Sequence, residues 1–214
     1  MLSTCRPTRA RSAPERVTAR ALAVAAVAAV ALALAGASAP SADAGKARLL
    51  VLGDSLAFDS EPYLLRALPR WRIVDEIWFA RRTGEGPAIL RRYGRRLPRT
   101  IHVSLGTADD PTAVDQLRRD VRRTMRIAGR RRCVVWANVW RPVPSGPGFD
   151  NFNVMLADED AHRPNLRVLD WHSMVAAHNE WLKKDGVHVN ADGNRARARA
   201  VRREIRACRA ELAA

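Results

Sequence analysis

Lysine is scarce in this chain, and the residue spacings that are typical of metal sites and of nucleic-acid-binding motifs are absent. Lys46, Lys183 and Lys184 are its three lysines, so arginine makes up almost all of the 37 basic side chains. The chain has no zinc-finger spacing, RNP motif or basic leucine zipper, which excludes the common nucleic-acid modules. Four histidines show no metal-ligand spacing with one another and are interpreted as structural or exposed: His102, His162, His172 and His178.

Internal repeats and a break between domains are also lacking. The 214 residues suffice for one α/β domain with a buried sheet. The apolar content of 47% is ordinary for a globular protein, so disorder is not the expected state. We therefore expect a single folded domain, and we predict that it is a monomer.

Acidic residues are too few to balance the basic ones. The chain has 22 acidic residues against 37 basic ones, a net charge of +15. The arginines are spread over several predicted helices, which favours solvated helix faces over a nucleic-acid site. A basic surface would also attract an anionic polymer of the cell envelope. Biased codon usage would give the same composition, and we predict no nucleic-acid partner.

The N-terminal segment has the composition of a targeting sequence rather than of a folded domain. A basic stretch ending at Arg20 precedes an uncharged apolar run, Ala21–Ala35, and two A-x-A sites follow. This order is typical of a cleaved secretory signal. Pro40 disfavours the first site, so we place cleavage after Ala44.

The alternative for residues 1–44 is an uncleaved membrane anchor, which would make the membrane a partner. The apolar run is short for a span and rich in alanine. We therefore predict a signal peptide over residues 1–44, an exported domain over residues 45–214, and a secreted or extracytoplasmic location.

Two cysteines lie within the predicted domain. Cys133 is predicted to begin a strand and Cys208 to lie late in the last helix. In an oxidising compartment two such residues indicate a disulfide that joins the helix to the sheet. Two buried free thiols are the alternative.

Strand and helix patterns alternate from Arg48 to the C-terminus. Five strands separated by helices predict an α/β fold with a parallel sheet covered on both faces. In such sheets the reactive groups gather beyond the carboxyl ends of the strands. The predicted strands are 48–52, 71–77, 100–105, 133–139 and 166–170, and the predicted helices are 60–68, a helix beginning at 87, 112–128, 151–161, 173–179 and 191–212.

The first predicted strand is followed by residues that suit a catalytic nucleophile. An apolar run stops at Gly53, and Asp54 and Ser55 follow at once. A serine there lies at the rim of the sheet, where a substrate can reach its hydroxyl. The alternative is an ordinary turn in which Asp54 or Ser55 caps a helix.

The loop before the last helix supplies what such a serine would need. Asp185 and His188 are three residues apart, so the carboxylate can bond one imidazole nitrogen while the other faces outward. A carboxylate on Nδ1 fixes the tautomer and stabilises the imidazolium that forms when Nε2 takes a proton. With Ser55 as the nucleophile, the three residues would form a triad for acyl transfer.

These two sequences together resemble the SGNH, or GDSL, hydrolase family. The family's first block appears as Gly53-Asp54-Ser55-Leu56, its last as Asp185-Gly186-Val187-His188, and its second-block glycine as Gly84. The resemblance covers the whole predicted domain. It implies a flavodoxin-like, three-layer α/β/α fold, a serine nucleophile, no metal and no cofactor. It also implies an oxyanion hole built from the amides of Ser55 and Gly84.

The third family block departs from the pattern. Gly106-Thr107-Ala108-Asp109 has Ala108 where the family places an oxyanion-hole asparagine. Losing one such donor lowers the rate about 10²–10³-fold in other serine hydrolases. Thr107, Asn138 and Asn153 are candidate substitutes. A weak or inactive domain that binds an anionic envelope polymer is therefore the alternative function.

The segment from Asn138 to Val189 narrows the resemblance to the extracytoplasmic SGNH domains of bacterial envelope acyltransferases. This implies an ester substrate, either a small molecule or a glycan that carries O-acetyl groups, and either hydrolysis or transfer. The candidate substrate-binding residues are Asp54, Thr107, Trp140 and Asn153. Trp78, Trp140, Trp171 and Trp181 are predicted near the reactive edge, and Trp71 and Trp136 in the core.

Overall fold

The computed structural model describes residues 46–213, and the predicted signal segment lies outside the described residues. Five strands form one sheet in the order β2-β1-β3-β4-β5, and every pairing is parallel. This confirms the predicted α/β class and the parallel sheet with helices on both faces. The strands are β1 (Ala47–Gly53), β2 (Trp71–Ile77), β3 (Thr100–Ser104), β4 (Cys133–Ala137) and β5 (Leu166–Leu169).

Helices connect the strands in sequence. Short 3₁₀ turns occupy Thr83–Glu85, Gly94–Arg96 and Asn179–Trp181. The helices are α1 (Ser55–Ala67), α2 (Gly86–Tyr93), α3 (Val114–Ala128), α4 (Asp150–Ala161), α5 (Trp171–Ala176) and α6 (Ala191–Glu211).

Strand β1 lies inside the sheet and is covered on both faces. Leu50 and Leu52 belong to the core shared with α2, α3 and α4, while Leu49 and Val51 face α1 and α6. All four are at most 2% exposed, and burial of such side chains stabilises the fold by roughly 1.5–3 kcal/mol each. A run of apolar residues without alternation therefore becomes a central parallel strand.

The first helix starts five residues earlier than the sequence analysis predicts. Asp54 caps α1, because its Oδ1 accepts a hydrogen bond from the Leu56 N–H at 3.0 Å. Ser60, with which the predicted helix begins, is buried inside α1 and donates to the Ala57 carbonyl at 3.1 Å. Pro62 also lies within α1. Asp54 as a helix cap and Ser55 as an accessible hydroxyl are thus compatible.

Cys133 and Cys208 form a disulfide with their Cα atoms 5.8 Å apart. Cys133 is the first residue of β4, and Cys208 lies one turn before the end of α6. The bond joins the C-terminal end of α6 to the edge of the sheet at which the strands begin.

We call the two ends of the sheet the amino edge, where strands begin, and the carboxyl edge, where they end. Within residues 46–213 no helix is long and apolar enough to cross a membrane. The same part of the chain has no group of three or more His, Cys, Asp or Glu residues placed to hold a metal ion. The amino-edge loops are residues 46, 68–70, 94–99, 129–132 and 162–165, and the carboxyl-edge loops are residues 54, 78–85, 105–113, 138–149, 170 and 177–190.

Candidate active site

Ser55 stands at the sharp turn from β1 into α1. A Cβ on Gly53 would lie 2.2 Å from the Ala57 Cβ, so only glycine permits the helix to begin this close to the strand. The Asp54 N–H donates to the Ser104 carbonyl at 3.1 Å. The Trp78 N–H donates to the Gly53 carbonyl at 3.0 Å. Both neighbouring strands therefore fix the turn that presents Ser55.

The structure brings His188 and Asp185 to Ser55 across the carboxyl edge. His188 Nε2 lies 2.9 Å from Ser55 Oγ, and His188 Nδ1 lies 2.8 Å from Asp185 Oδ2. Ser55 and His188 are 133 residues apart in sequence. The three side chains form one continuous hydrogen-bonded row, with the imidazole between hydroxyl and carboxylate.

Asp185 is held in its ionised form by the loop that carries it. Its Oδ1 accepts hydrogen bonds from the N–H groups of Val187 and His188, both at 2.9 Å. These bonds, with that from Val187 the strongest, lower the pKa of Asp185 to about 2. The carboxylate therefore stays charged at neutral pH and keeps a proton on His188 Nδ1.

The amides of Ser55 and Gly84 occupy first turns, where N–H groups have no partner within the helix. Ser55 begins α1, and Gly84 is the second residue of the 3₁₀ turn Thr83–Glu85. Asp109 anchors that turn, because its Oδ2 accepts from the Thr83 N–H at 3.0 Å and from the Thr83 hydroxyl at 2.7 Å. Burial raises the pKa of Asp109, and the bonds from Thr83 oppose that rise.

No protein-family model and no curated protein matches the chain by sequence. Solved structures do match. The C-terminal catalytic domain of peptidoglycan O-acetyltransferase A from Streptococcus pneumoniae is 19% identical with a TM-score of 0.60, over 78% of this chain and 94% of that domain.

A family 3 carbohydrate esterase from Clostridium thermocellum is 13% identical with a TM-score of 0.61, over 77% of this chain and 98% of that one. A lipolytic protein of the G-D-S-L family from Veillonella parvula is 14% identical with a TM-score of 0.63, over 73% of this chain and 96% of that one. This chain has the SGNH/GDSL hydrolase fold. At these identities the likeness is one of fold, and its neighbours are esterases and an acyltransferase domain.

Two of the predicted oxyanion substitutes already bond other groups of this SGNH fold through both ends of their amides. Asn153 accepts from the Val139 N–H and donates to the Val139 carbonyl, both at 2.8 Å. Asn138 donates to Asp170 at 2.8 Å and accepts from the His172 N–H at 2.7 Å. Both ends of the Asn153 amide thus hold the loop after β4, and its role in substrate binding stays a prediction.

The prediction of Asp54 as a substrate-binding residue is wrong, because it is only 2% exposed. Burial raises its pKa, while Arg197 and the hydrogen bond from the Leu56 N–H oppose that rise. Ser104 lies beside it, with its hydroxyl 3.5 Å from Asp54 Oδ1. Asp54 therefore stabilises the turn at Ser55 from the buried side of that turn.

Arg197 is a buried cation beneath the nucleophile turn, and nothing in the sequence pattern marks it. The side chain is 2% exposed, donates to the Ser104 hydroxyl at 2.8 Å and lies over the Trp171 ring at 4.6 Å. Burial lowers the pKa of Arg197 to about 10, and Asp54 opposes that shift. Trp171 follows β5 at the predicted edge but is fully buried, so it offers no surface to a substrate.

Two other residues that were predicted to bind substrate, Trp140 and Thr107, lie at the carboxyl edge. Trp140 is partly buried and donates from Nε1 to the Gly186 carbonyl at 3.1 Å, beside the loop that carries the triad. It lines a cavity of about 230 Å³ with His172. Thr107 is partly exposed, its side chain opposes the rise in the pKa of Asp54 that burial causes, and its carbonyl accepts from Arg141. Ala108 is likewise only partly buried.

Exposed aromatic residues border Ser55 on the β2 side, and only Trp78 among them was anticipated from the sequence. Phe58, one helical turn after Ser55, is 50% exposed, and Trp78 and Phe79 are 68% and 60% exposed. The Phe58 and Phe79 rings lie 5.1 Å apart. Exposed large apolar side chains are uncommon in this chain, so their position beside the triad marks a contact surface.

Proposed function

We propose that this chain is an exported serine esterase that acts on acyl esters through Ser55, His188 and Asp185. The observation that carries the proposal is the hydrogen-bonded row with distances of 2.9 Å and 2.8 Å at the carboxyl edge. The fold shared with esterases and an acyltransferase domain supports an ester substrate. The signal-like composition of residues 1–44 supports export.

In the first half of the reaction, Ser55 Oγ attacks the ester carbonyl while His188 Nε2 takes the hydroxyl proton. A carbon–oxygen bond forms, and the carbonyl electron pair moves to the oxygen. Asp185 stabilises the imidazolium and holds the ring in place. The tetrahedral intermediate collapses, the bond to the alcohol breaks, and His188 gives its proton to the leaving alkoxide.

In the second half, His188 takes a proton from water, and the hydroxide attacks the acyl-serine. Collapse releases the carboxylic acid, and the proton returns to Ser55 Oγ. A sugar hydroxyl in place of water would complete transfer instead of hydrolysis. We infer a glycan that carries O-acetyl groups as the physiological substrate, which the exposed Trp78 and Phe79 beside Ser55 favour.

The N–H groups of Ser55 and Gly84 stabilise the developing oxyanion. Donors aimed at that oxygen supply a large share of catalysis in acyl transfer. Ala108 contributes no side-chain donor, so we expect turnover below that of a hydrolase with three donors.

The test is hydrolysis of p-nitrophenyl acetate by the full chain, by Ser55→Ala and by Ser145→Ala. Ser145 lies exposed in the loop after β4 and serves as the matched control. We expect turnover by the parent chain and by Ser145→Ala, and background rates for Ser55→Ala. Equal rates in the parent chain and in Ser55→Ala would refute the proposal.

The second candidate is a binding domain that has lost catalysis, and Ala108 favours it. A fluorophosphonate probe separates the two functions, because it labels only an activated serine. Labelling of the parent chain and not of Ser55→Ala supports the esterase. An unlabelled parent chain supports the binding domain.

A further inference from the structure

The loops at the two edges of the sheet differ in charge. The amino-edge loops contain eight arginines, one lysine and no aspartate or glutamate. The carboxyl-edge loops contain seven acidic and five basic residues. The strongly positive edge is therefore the one opposite Ser55.

Several arginines elsewhere in the fold pair with nearby carboxylates, while others on exposed helix faces, such as Arg123 and Arg199, also lack an ion pair within residues 46–213. Arg118 pairs with Asp158 at 2.7 Å, and Arg167 pairs with Glu211 at 2.6 Å. Six amino-edge arginines form no ion pair with any residue in 46–213: Arg70, Arg95, Arg96, Arg99, Arg130 and Arg131. Such a gathering of like charges without counter-ions repels itself, so the native state carries a free-energy cost at this edge.

Interactions with helix C-termini explain the positions of some amino-edge arginines, but not of the majority. Helix C-termini end at the amino edge and favour nearby positive charge. Arg132 donates to the Ala128 carbonyl at 2.8 Å, and Arg163 to the Glu159 carbonyl at 3.2 Å. The six arginines without an ion pair show no such bond from their side chains to any described residue, so helix capping does not account for them.

The amino edge is also grooved. A cavity of about 490 Å³ is lined by Arg48, Arg99, Arg131 and Arg209. Two further cavities, of about 300 and 460 Å³, are each lined by four arginines. Arginines from different strands and helices thus converge on shared spaces, where one anion can meet several guanidinium groups.

We propose that the amino edge binds a flexible linear polyanion whose charges are closely spaced phosphates. The guanidinium fork matches phosphate oxygens in a bidentate manner, and these loops use arginine almost to the exclusion of lysine. A phosphate chain carries a charge every few atoms, which fits this density of cations better than one carboxylate per sugar ring. Binding in several grooves at once would give avidity without a deep pocket.

An anionic bilayer fits this surface less well. The strongly exposed large apolar residues of the described chain are Phe58, Leu65, Trp78, Phe79 and Val154, and none lies in an amino-edge loop. Membrane-surface binding draws on apolar and aromatic side chains as well as on charge. The amino-edge loops offer charge alone.

The experiment measures binding of fluorescent inorganic polyphosphate to the full chain by anisotropy over a range of salt concentrations. The test variant is Arg95→Gln/Arg99→Gln/Arg131→Gln. The control is Arg119→Gln/Arg123→Gln/Arg199→Gln, which removes the same charge from exposed helix positions away from the amino-edge loops. Thermal melting checks that both variants fold.

We expect the amino-edge variant to bind polyphosphate at least ten-fold more weakly than the parent chain, and the control less than three-fold more weakly. The slope of log K against log salt should fall by about 2 in the amino-edge variant, because roughly 0.7 of a counter-ion is released per contact in a flexible strand. Ser55→Ala should bind as the parent does, which separates this proposal from the esterase.

Equal weakening in the two triple variants would overturn the proposal, because it would show that total charge alone decides binding. Tighter binding to phosphatidylglycerol vesicles, duplex DNA or polygalacturonate than to polyphosphate, at equal anion concentration, would also overturn it. Preference for polyphosphate in all three comparisons supports the assignment.

Discussion

The two edges of the sheet are held together by different means. At the carboxyl edge, side chains bond to backbone groups of neighbouring loops, as Asn153 does at Val139 and Asp109 at Thr83. At the amino edge, Asn165 likewise donates to the Gly129 and Arg132 carbonyls, but the disulfide Cys133–Cys208 adds a covalent tie and the arginines of the loops there repel one another.

This difference follows from what each edge must do. Hydrogen bonds with fixed directions place a nucleophile to within fractions of an ångström, which acyl transfer requires. A repulsive surface needs no such precision and gains its stability elsewhere. Substitutions confined to one edge therefore separate the two kinds of support.

The largest effect is expected at the carboxyl edge. His188→Ala removes the base that lies 2.9 Å from Ser55 Oγ. We expect kcat/KM for p-nitrophenyl acetate to fall about 10⁴-fold or more, while the melting temperature changes little. His178→Ala, which removes another partly exposed imidazole, is the control and should keep its activity. Activity retained by His188→Ala would remove the triad from the mechanism.

At the amino edge, the replacement Cys133→Ala/Cys208→Ala removes a disulfide that joins two residues 75 positions apart in sequence. The chain-entropy account predicts a loss of roughly 4 kcal/mol in the free energy of unfolding. Urea unfolding monitored by tryptophan fluorescence measures it. Adding a reductant should destabilise the parent chain and leave the double variant unchanged. A parent chain that is indifferent to reductant would show that the bond adds no stability.

Arg197→Met tests the buried charge beneath the nucleophile turn. Asp54 would lose the cation that opposes its burial, and we expect a loss of about 3 kcal/mol. The loss should grow as the pH rises above the ordinary range of an aspartate, because burial raises the pKa of Asp54 and Arg197 stabilises its ionised form, which becomes more populated as pH rises. Arg199→Met, on the exposed side of α6, should cost less than about 0.5 kcal/mol. Equal melting temperatures for the two variants would contradict this role.

Ala108→Asn would sharpen the contrast by adding a donor to the carboxyl edge. We expect kcat to rise by roughly 10²-fold, since removing one such donor from other serine hydrolases has the inverse effect. Ala108→Leu adds similar bulk without a donor and should not increase kcat. A gain in both variants would show that filling space, rather than hydrogen bonding, raises the rate.

The smallest effect concerns acid stability at the triad. The pKa of Asp185 is lowered to about 2, so its stabilising contribution is complete above about pH 4 and is lost as the pH falls toward 2. Half of its side chain is exposed, so the effect is modest. In thermal melts, Asp185→Asn should lose less stability than the parent chain between pH 4 and pH 2. Parallel curves would contradict the lowered pKa.

The alternating pattern of apolar runs predicted the strands closely, and β2 begins and ends where expected, at Trp71 and Ile77. It failed at the start of α1, because Asp54 and Ser55 have poor helix propensity and Ser60 followed by Pro62 mimics a helix start. The distance of 133 residues between Ser55 and His188 shows why only paired motifs predicted their contact.

Residues whose roles depend on their neighbours could not be predicted. Arg197 lies among other arginines in α6, and nothing in their spacing marks the one that is buried. Asn153 carries an amide suited to an oxyanion, but its contact with Val139 is set by the path of the loop after β4. Trp171 follows β5 at the carboxyl edge, yet it turns into the core.

Helix α6 links the two edges mechanically. Its 21 residues span about 30 Å, with the His188 loop just before its first residue and Cys208 near its last. A helix bonded near its far end resists sliding along the sheet. The disulfide therefore acts at a distance on the helix that follows the His188 loop, although it lies at the opposite end of the domain.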